Sequence, residues 1–217
     1  MLYVMVSTRP DLASSLSILS CFLANPGKAH WEAAKRALRY LRGTVNMGLR
    51  FEITRSGERV AFCDANWASC PDTRKSSTGY VFLLSGGAVS WSCRRQSTTA
   101  QSSCEAEYMA AAETVRECIW QRTFLEEIGL GVTRPIVIGC DSDSAIKLAA
   151  DPVYHERTKH IDVRVHFIRD HVRRGAAVLL FVPTAEQVAD VLTKPVPRAK
   201  VRFCRDRMGL TLLENTL

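Results

Sequence analysis

One short run, residues 59–66, constrains the fold of this chain more than any other feature. Its sequence, RVAFCDAN, predicts an apolar strand that carries one acid, Asp64, near its carboxyl end. A second apolar run, residues 135–140, ends directly before Asp141, and a helical stretch between the two runs carries Glu105 and Glu107. Acids on three separate elements indicate a metal site.

Around these runs the sequence predicts a mixed five-stranded sheet flanked by helices. Residues 79–84 and 88–93 flank a Ser-Gly-Gly turn and are typical of a hairpin. A long helix is predicted over residues 102–128, and the apolar runs 136–140 and 177–182 are typical of strands buried on both faces. The carboxyl ends of the first, fourth and fifth strands therefore meet at one edge, where sites in α/β sheets gather.

Each acid also has a plainer interpretation. Asp64 fits the start of a loop, and Asp141 opens the string DSDSAI, where it fits a helix cap. Glu105 and Glu107 lie about 200° apart on a helix, so they cannot both face one metal ion, and spacing does not choose between them. Asp190 is predicted in a short helix that starts with a capping-box pattern at residues 184–187, where a solvated acid is also typical.

Taken together, the acids favour a hard cation. Carboxylates without a cysteine or histidine ligand nearby suit Mg²⁺ or Mn²⁺, which prefer oxygen. Zinc is disfavoured because His155, His160, His166 and His171 have no cysteine pair beside them at zinc spacing. Two hard cations roughly 4 Å apart activate a water and stabilise the leaving oxygen of a phosphodiester. The acids therefore fit phosphodiester hydrolysis.

The composition fits a polyanionic partner. The 217 residues, 47% of them hydrophobic, are enough to bury a core as one domain with an appended piece. The formal charge of +7 and pI near 9.1 suit nucleic acid, although a merely basic soluble protein has the same charge. Eight cysteines without a C-x-x-C pair, and no signal-peptide or membrane pattern, favour an intracellular setting, cytoplasm or nucleus, over secretion.

Short strings spread over nearly the whole chain, to about residue 210, form a specific set. They are TRPDL (8–12), HW (30–31), LRYLRGT (38–44), CDANWA (63–68), DTRKS (72–76), TGY (78–80), SW (90–91), EAEY (105–108), CD (140–141), HERTKHI (155–161), VPT (182–184), AD (189–190) and LTK (192–194). Together they resemble the ribonuclease H region of a copia-type retrotransposon Pol polyprotein. The first fifty or so residues resemble the end of its reverse transcriptase region.

The resemblance implies a ribonuclease H-like mixed sheet and cleavage of the RNA strand of an RNA–DNA hybrid. It places Asp64, Glu107 and Asp141 at the family's metal-binding acids, with Asp190 as the expected fourth acid. Glu107 is preferred over Glu105 because the family has an acid, an apolar residue and then small residues, as in EYMAA here. The implied cofactor is a pair of Mg²⁺ ions, with Mn²⁺ as the alternative.

The resemblance also divides the chain into three parts. Residues 1–55 would be the remnant of a reverse transcriptase region with two helices, residues 56–197 a ribonuclease H-like domain, and residues 198–217 a C-terminal tail. The family's polymerase string, Tyr-x-Asp-Asp, is absent from the sequence, which excludes DNA synthesis by this chain alone. We expect the first helices to expose an apolar patch where the missing reverse transcriptase part would pack.

Two further features of the sequence bear on how the chain would bind and cleave a hybrid. Four basic residues are candidates for salt-dependent contacts with the phosphates of the hybrid: Arg74, Lys75, Arg94 and Arg95. Cellular relatives carry a histidine before the last acid, whereas residues 182–187 have none, so product release or water activation is expected to differ.

A catalytically silent relic and a non-catalytic nucleic-acid-binding module remain alternatives to the enzyme. An integrase core is disfavoured because its glutamate would follow the second aspartate, whereas Glu107 precedes Asp141.

Overall fold

The structure is a computed structural model that describes residues 1–52, 59–131, 134–150 and 162–213. His155 and His160, with the rest of the string at 155–161, lie outside the described residues, as does the predicted domain boundary between residues 55 and 56.

The strands and helices predicted over residues 59–182 are present in the predicted order, whereas residues 1–52 contain three α-helices and a strand instead of the two predicted helices. The strands are β1 (Met47–Leu49), β2 (Arg59–Asn66), β3 (Ser77–Leu84), β4 (Gly87–Arg95), β5 (Ile136–Cys140), β6 (Ala177–Phe181) and β7 (Leu210–Leu212). The helices are α1 (Leu2–Ser7), α2 (Ala13–Ser20), α3 (Lys28–Arg42), α4 (Ser103–Glu127), α5 (Asp143–Ala150), α6 (Asp162–Arg173), α7 (Asp190–Thr193) and α8 (Arg198–Arg207). Short 3₁₀ helices span Pro10–Leu12 and Thr184–Glu186.

A five-stranded mixed sheet forms the centre of the structure. Its order is β4-β3-β2-β5-β6, with β2, β3 and β4 antiparallel and with β5 parallel to both β2 and β6. The predicted five-stranded mixed sheet flanked by helices is therefore confirmed. Because β2, β5 and β6 run in the same direction, their carboxyl ends lie at one edge, which we call the acidic edge.

The turn between β3 and β4 follows from its residues. Ser85 has φ 53° and Gly86 has φ 77°, so both central residues lie in the left-handed region. Two-residue hairpin turns of this kind match the twist of antiparallel strands, and glycine adopts the conformation without a steric penalty. Beyond the turn the register shifts by one residue between Phe82 and Leu83, after which Arg94 pairs with Thr78 and Arg95 with Ser77.

Helix α4 covers one face of the sheet. Tyr108 and Val115 are fully buried against β2, β3 and β5, in the core that also contains Phe82 and Ile138. The opposite face packs against α2, α7 and α8, where Leu192 and other apolar side chains are buried. Both faces of β2 are therefore covered, and Asp64 reaches the acidic edge from a strand fixed on both sides.

The segment before the sheet packs on α7 and β4 through the apolar side chains of α2. Ala13 is fully buried there, and the indole Nε1 of Trp91 donates to the carbonyl oxygen of Met5 at 2.9 Å. The apolar face of α3 points outward, since the exposed fraction of Trp31 is 62% and that of Leu38 is 48%. The expected apolar patch is present.

Residues 198–213, predicted to belong to a tail, are packed. Cys204 and Met208 of α8 are fully buried on the sheet face that α7 also covers, and β7 pairs antiparallel with β1. The division of the chain at residues 55 and 197 remains a prediction. None of the helices in the described ranges combines the length and apolarity needed to cross a bilayer.

Candidate metal centre

Three carboxylates converge at the acidic edge. Asp64 lies near the end of β2 and Asp141 directly follows β5, so parallel pairing of the two strands makes them neighbours. Glu107 lies in the first turns of α4, whose start is capped by the Ser102 side chain, which accepts the N–H of Glu105 at 3.1 Å. One oxygen from each of Asp64, Glu107 and Asp141 lies within 4.8 Å of the other two.

The structure distinguishes the two glutamates that spacing left open. Glu105 is buried at the start of α4, where its Oε2 accepts the backbone N–H of Gln101 at 2.7 Å. Glu107 points to the acidic edge, and its Oε2 accepts the backbone N–H of Ala65 at 3.1 Å. Glu107 is therefore the glutamate that the fold places beside Asp64.

Asp190 lies outside the group of three. It begins α7, is almost fully buried, and forms ion pairs with Lys194 at 2.7 Å and with Lys200 at 3.4 Å. Lys194 also contacts Asp64, at 3.3 Å between Nζ and Oδ1. Asp190 is thus linked to the acid group through a lysine.

Hydroxyl groups orient two of the acids. The Thr193 hydroxyl donates to Oδ2 of Asp64, and the Thr184 hydroxyl donates to Oδ2 of Asp141 at 3.0 Å. The predicted capping box at residues 184–187 is wrong, because the side chain of Thr184 contacts Asp141 and does not cap its own helix. Thr193 and Lys194 belong to the string LTK, so the resemblance offered a signal for them that residue chemistry alone did not.

Gln187 is a site residue that the sequence analysis missed. Its side chain is fully buried, and its Nε2 donates to the carbonyl oxygens of Cys63 at 2.9 Å and Gly139 at 3.4 Å. It therefore ties together the carboxyl ends of β2 and β5, one residue before Asp64 and two residues before Asp141. No sequence pattern signals this role, because it depends on contacts between distant parts of the chain.

A glycine allows α7 to approach Asp64. Gly79 pairs with Asp64 in the β2–β3 register. A Cβ atom at Gly79 would lie 2.5 Å from Cγ2 of Thr193 and 3.0 Å from Cβ of Leu192, so any larger residue would push α7 outward. The contact between Thr193 and Asp64 therefore depends on the missing side chain at Gly79.

Burial and nearby negative charge make Asp64 and Glu107 hard to ionise. Burial raises the pKa of Asp64 to about 7, and the charges of Asp190 and Asp141 act in the same direction, against Lys194 and Thr193. Burial, followed by the charge of Asp64, raises the pKa of Glu107 to about 9. For Lys194, burial lowers the pKa, but the charges of Asp64 and Asp190 outweigh that effect and raise it overall.

Such a cluster fits a hard divalent cation. Its three side chains offer only oxygen, which Mg²⁺ and Mn²⁺ prefer, and a bound cation would stabilise the ionised forms of Asp64 and Glu107 against burial and repulsion. The distance between their oxygens, within 4.8 Å, allows all three to contact one ion.

The four predicted basic residues lie at the same edge of the sheet. Arg94 and Arg95 end β4, and Arg74 and Lys75 precede β3 on the adjoining loop. Arg74, Arg94 and Arg95 are exposed, and Arg95 donates to the Cys21 sulfur at the end of α2. Arg94 and Arg95 thus lie at the acidic edge two strands away from β2, and Arg74 and Lys75 lie at the start of the strand next to β2.

Comparison with known proteins identifies the relatives of this chain. It is 49% identical over 212 residues to the retrovirus-related Pol polyprotein from transposon TNT 1-94 of Nicotiana tabacum, a match over 97% of this chain and 16% of the relative. It is 41% identical over 204 residues to the retrovirus-related Pol polyprotein from transposon RE1 of Arabidopsis thaliana, over 94% of this chain and 14% of the relative. The chain belongs to the retrovirus-related Pol polyproteins of transposons.

The Pol resemblance carried by the sequence strings is therefore confirmed. This Pol chain spans about one sixth of the length of the curated relatives it matches. Among solved structures, LC11-RNase H1 in complex with an RNA/DNA hybrid matches 63% of the Pol chain and 94% of its own, with 16% sequence identity and a TM-score of 0.46. No protein-family model matches the chain.

Replacing Glu107 with glutamine should stabilise the metal-free Pol chain. The fold raises the pKa of Glu107 from 4.5 to about 9, so its ionisation opposes folding increasingly as pH rises between these values. Glutamine keeps an acceptor for the Ala65 N–H but carries no charge. In a chelating buffer at pH 8 we expect Tm to rise by about 3 °C or more, roughly 1 kcal/mol for a chain of this size, with a smaller gain at pH 5.

Glu127→Gln is the matched control, because Glu127 is exposed at the other end of the same helix. Its Tm should follow that of the wild type at both pH values. Equal melting temperatures for Glu107→Gln and the wild type at pH 8 would contradict the raised pKa of Glu107.

Proposed function

We propose that this Pol chain is a metal-dependent endonuclease that cleaves the RNA strand of RNA–DNA hybrids. The observation that carries the proposal is the convergence of Asp64, Glu107 and Asp141, with oxygens within 4.8 Å of one another, at the carboxyl ends of two parallel strands. Membership in the Pol family supports a nuclease of the ribonuclease H type, because the matching strings include all three acids.

The proposed cofactor is a pair of Mg²⁺ ions, with Mn²⁺ as the alternative. Asp64, Glu107 and Asp141 would hold one ion, and Asp64 with Asp190 would hold the other. When bound, the ions supply a water nucleophile at neutral pH and electrostatic stabilisation of the leaving oxygen. The products would be a 3′-hydroxyl and a 5′-phosphate.

Residues around the acids would keep them oriented during the reaction. Thr184 holds the Asp141 carboxylate, Thr193 holds that of Asp64, and the Ala65 N–H holds that of Glu107. Gln187 fixes the separation of the two strand ends through their carbonyl groups. Preorganised ligands of this kind avoid the free energy needed to gather like charges during the reaction.

Asp64→Asn tests the proposed function. Asparagine removes one anionic ligand, so metal-dependent loss of a labelled RNA strand from an RNA–DNA hybrid should fall. The fall should exceed the roughly 10–100-fold effect of residues that only support a ligand. Asp143→Asn, at an exposed position two residues from Asp141, should cleave like the wild type.

Unchanged cleavage by Asp64→Asn would contradict the proposed function. Hybrid binding without cleavage by the folded wild-type chain would instead support the non-catalytic nucleic-acid-binding module or silent relic. A duplex of two DNA strands serves as the substrate control, because selection for RNA would depend on its 2′-hydroxyl groups and on hybrid geometry.

We further propose that Arg74, Lys75, Arg94 and Arg95 contact the phosphates of the hybrid. Replacing both Arg94 and Arg95 with alanine should weaken binding at low salt and reduce the slope of log K against log salt by about 1 for each lost contact. Arg174→Ala is the control, because Arg174 precedes β6 at the opposite edge of the sheet. A slope that is unchanged by the double replacement would contradict this assignment.

The partner that we propose for the apolar patch is the preceding part of a Pol polyprotein. The patch borders an open groove of about 950 Å³ between α1, α2 and α3, lined by Leu2, Tyr3, Leu19, Leu23 and Trp31. The exposed fractions are 83% for Tyr3 and 70% for Leu23, so apolar side chains border the groove at the surface, as at sites of protein interaction.

Binding of a separate polypeptide tests this partner. The segment that precedes the matched region in the TNT 1-94 polyprotein should co-elute with this chain, and Trp31→Asp should weaken the complex by at least about tenfold, the effect of a central interface residue. Trp120→Asp, an equally exposed tryptophan on α4, should not. Equal losses in both variants would contradict docking in the groove.

We also propose an intracellular setting. All eight cysteines are free thiols, and four of them are fully buried: Cys63, Cys118, Cys140 and Cys204. Thiol mapping of the protein recovered from cells tests this setting, which disulfide-linked cysteines would contradict.

A further inference from the structure

The Lys194 ammonium lies between two of the proposed metal ligands. Its Nζ is 3.3 Å from Oδ1 of Asp64 and 2.7 Å from Oδ1 of Asp190, so one positive charge bridges two carboxylates that belong to different elements. Lys194 directly follows α7, and its backbone N–H donates to the carbonyl oxygen of Asp190, four residues earlier, at 3.1 Å.

Lys200 provides a contrast within the same site. Its Nζ is 3.4 Å from Oδ2 of Asp190 and donates to the carbonyl oxygens of Thr184 and Ala185, both at 2.7 Å. The side chain of Lys200 is 14% exposed, against 34% for Lys194. Lys200 is therefore held by backbone carbonyls, whereas the side chain of Lys194 is more exposed and can move towards the solvent.

The two proposed cation positions consequently differ in the charges that an incoming ion would meet. Asp64, Glu107 and Asp141 lie close enough to share one ion directly. Between Asp64 and Asp190 an incoming ion would meet the ammonium at hydrogen-bonding distance from both carboxylates. Two cations repel strongly at such a distance away from bulk water, so they cannot occupy that space together.

We infer that Lys194 is a built-in competitor for the second divalent cation. Its ammonium neutralises Asp64 and Asp190 when that position holds no metal, and it must leave for the solvent when a cation binds there. Binding at Asp64, Glu107 and Asp141 does not require this movement. The inference rests on the proposed metal site but not on cleavage of any substrate.

Mn²⁺ titration of the full chain without nucleic acid tests the competition. Isothermal calorimetry, with bound Mn²⁺ counted by electron paramagnetic resonance, should show a tight class and a weak class of sites in the wild type. Lys194→Gln should tighten the weak class by at least about tenfold, the effect of roughly 1.4 kcal/mol of lost repulsion. The Mn²⁺ affinity of the tight class should change much less. In Lys194→Arg, which keeps the positive charge, the weak class should keep its low affinity.

Lys200→Gln is the matched control, because it removes one positive charge from the same carboxylate without clearing the space beside Asp64. An equal increase in the Mn²⁺ affinity of the weak class in Lys194→Gln and Lys200→Gln would overturn competition for space. Both replacements would then act only by removing a positive charge. An unchanged Mn²⁺ affinity of the weak class in folded Lys194→Gln would also overturn the inference. If the folded wild type binds no Mn²⁺, the proposed metal site fails, and this inference fails with it.

A second measurement needs no variant and guards against a Lys194 replacement that does not fold. Lysine acylation followed by mass spectrometry should show Lys194 becoming more reactive as Mn²⁺ fills the weak class, while Lys200 stays constant. Lys194 reactivity that does not change with Mn²⁺ would overturn the inference, even if the chain cleaves hybrids.

Discussion

Repulsion among carboxylates held at one sheet edge is the constraint on which the rest of this structure depends. Two of the acids, Asp64 and Asp141, are brought together by parallel strands that cannot separate without breaking the sheet. Glu107 is added by a helix packed over the same strands. The surrounding hydroxyl, amide and ammonium groups offset burial and repulsion only in part, since the pKa values of Asp64 and Glu107 stay raised. A bound cation would complete such a site because it would stabilise the ionised carboxylates against both effects.

Helix α7 connects this electrostatic centre to the outer parts of the molecule. It packs on α2 from the first segment, on α8 from the last, and on β3 at Gly79. The same four residues supply Asp190, the hydroxyl that holds Asp64, and the carbonyl oxygen of Thr193 that accepts from Nδ2 of Asn66 at 3.3 Å. Packing against the first and last segments of the chain therefore determines where Asp190 lies relative to Asp64.

The sequence predicted those features that depend on local pattern and on the order of elements. Apolar runs that end in an acid marked β2 and β5, and the order of the elements implied that Asp64 and Asp141 meet. The choice between Glu105 and Glu107 needed either the family resemblance or the structure, because both residues occupy the same helix start. Lys194 and Gln187 were missed, since their contacts join residues more than a hundred positions apart in the sequence.

Because β1 pairs with β7, two segments far apart in the sequence belong to the same structural unit. Met47 pairs with Leu212 and Leu49 with Leu210, and the Arg205 guanidinium donates to the Tyr40 hydroxyl at 3.2 Å, beside the buried Arg9–Asp11 ion pair. Residues on either side of the central sheet in sequence thus form one continuous body. If two copies of such a mobile element recombined between residues 50 and 59, the product would combine β1 from one copy with β7 from the other. The β1–β7 pair is inherited unchanged only when both strands come from the same copy.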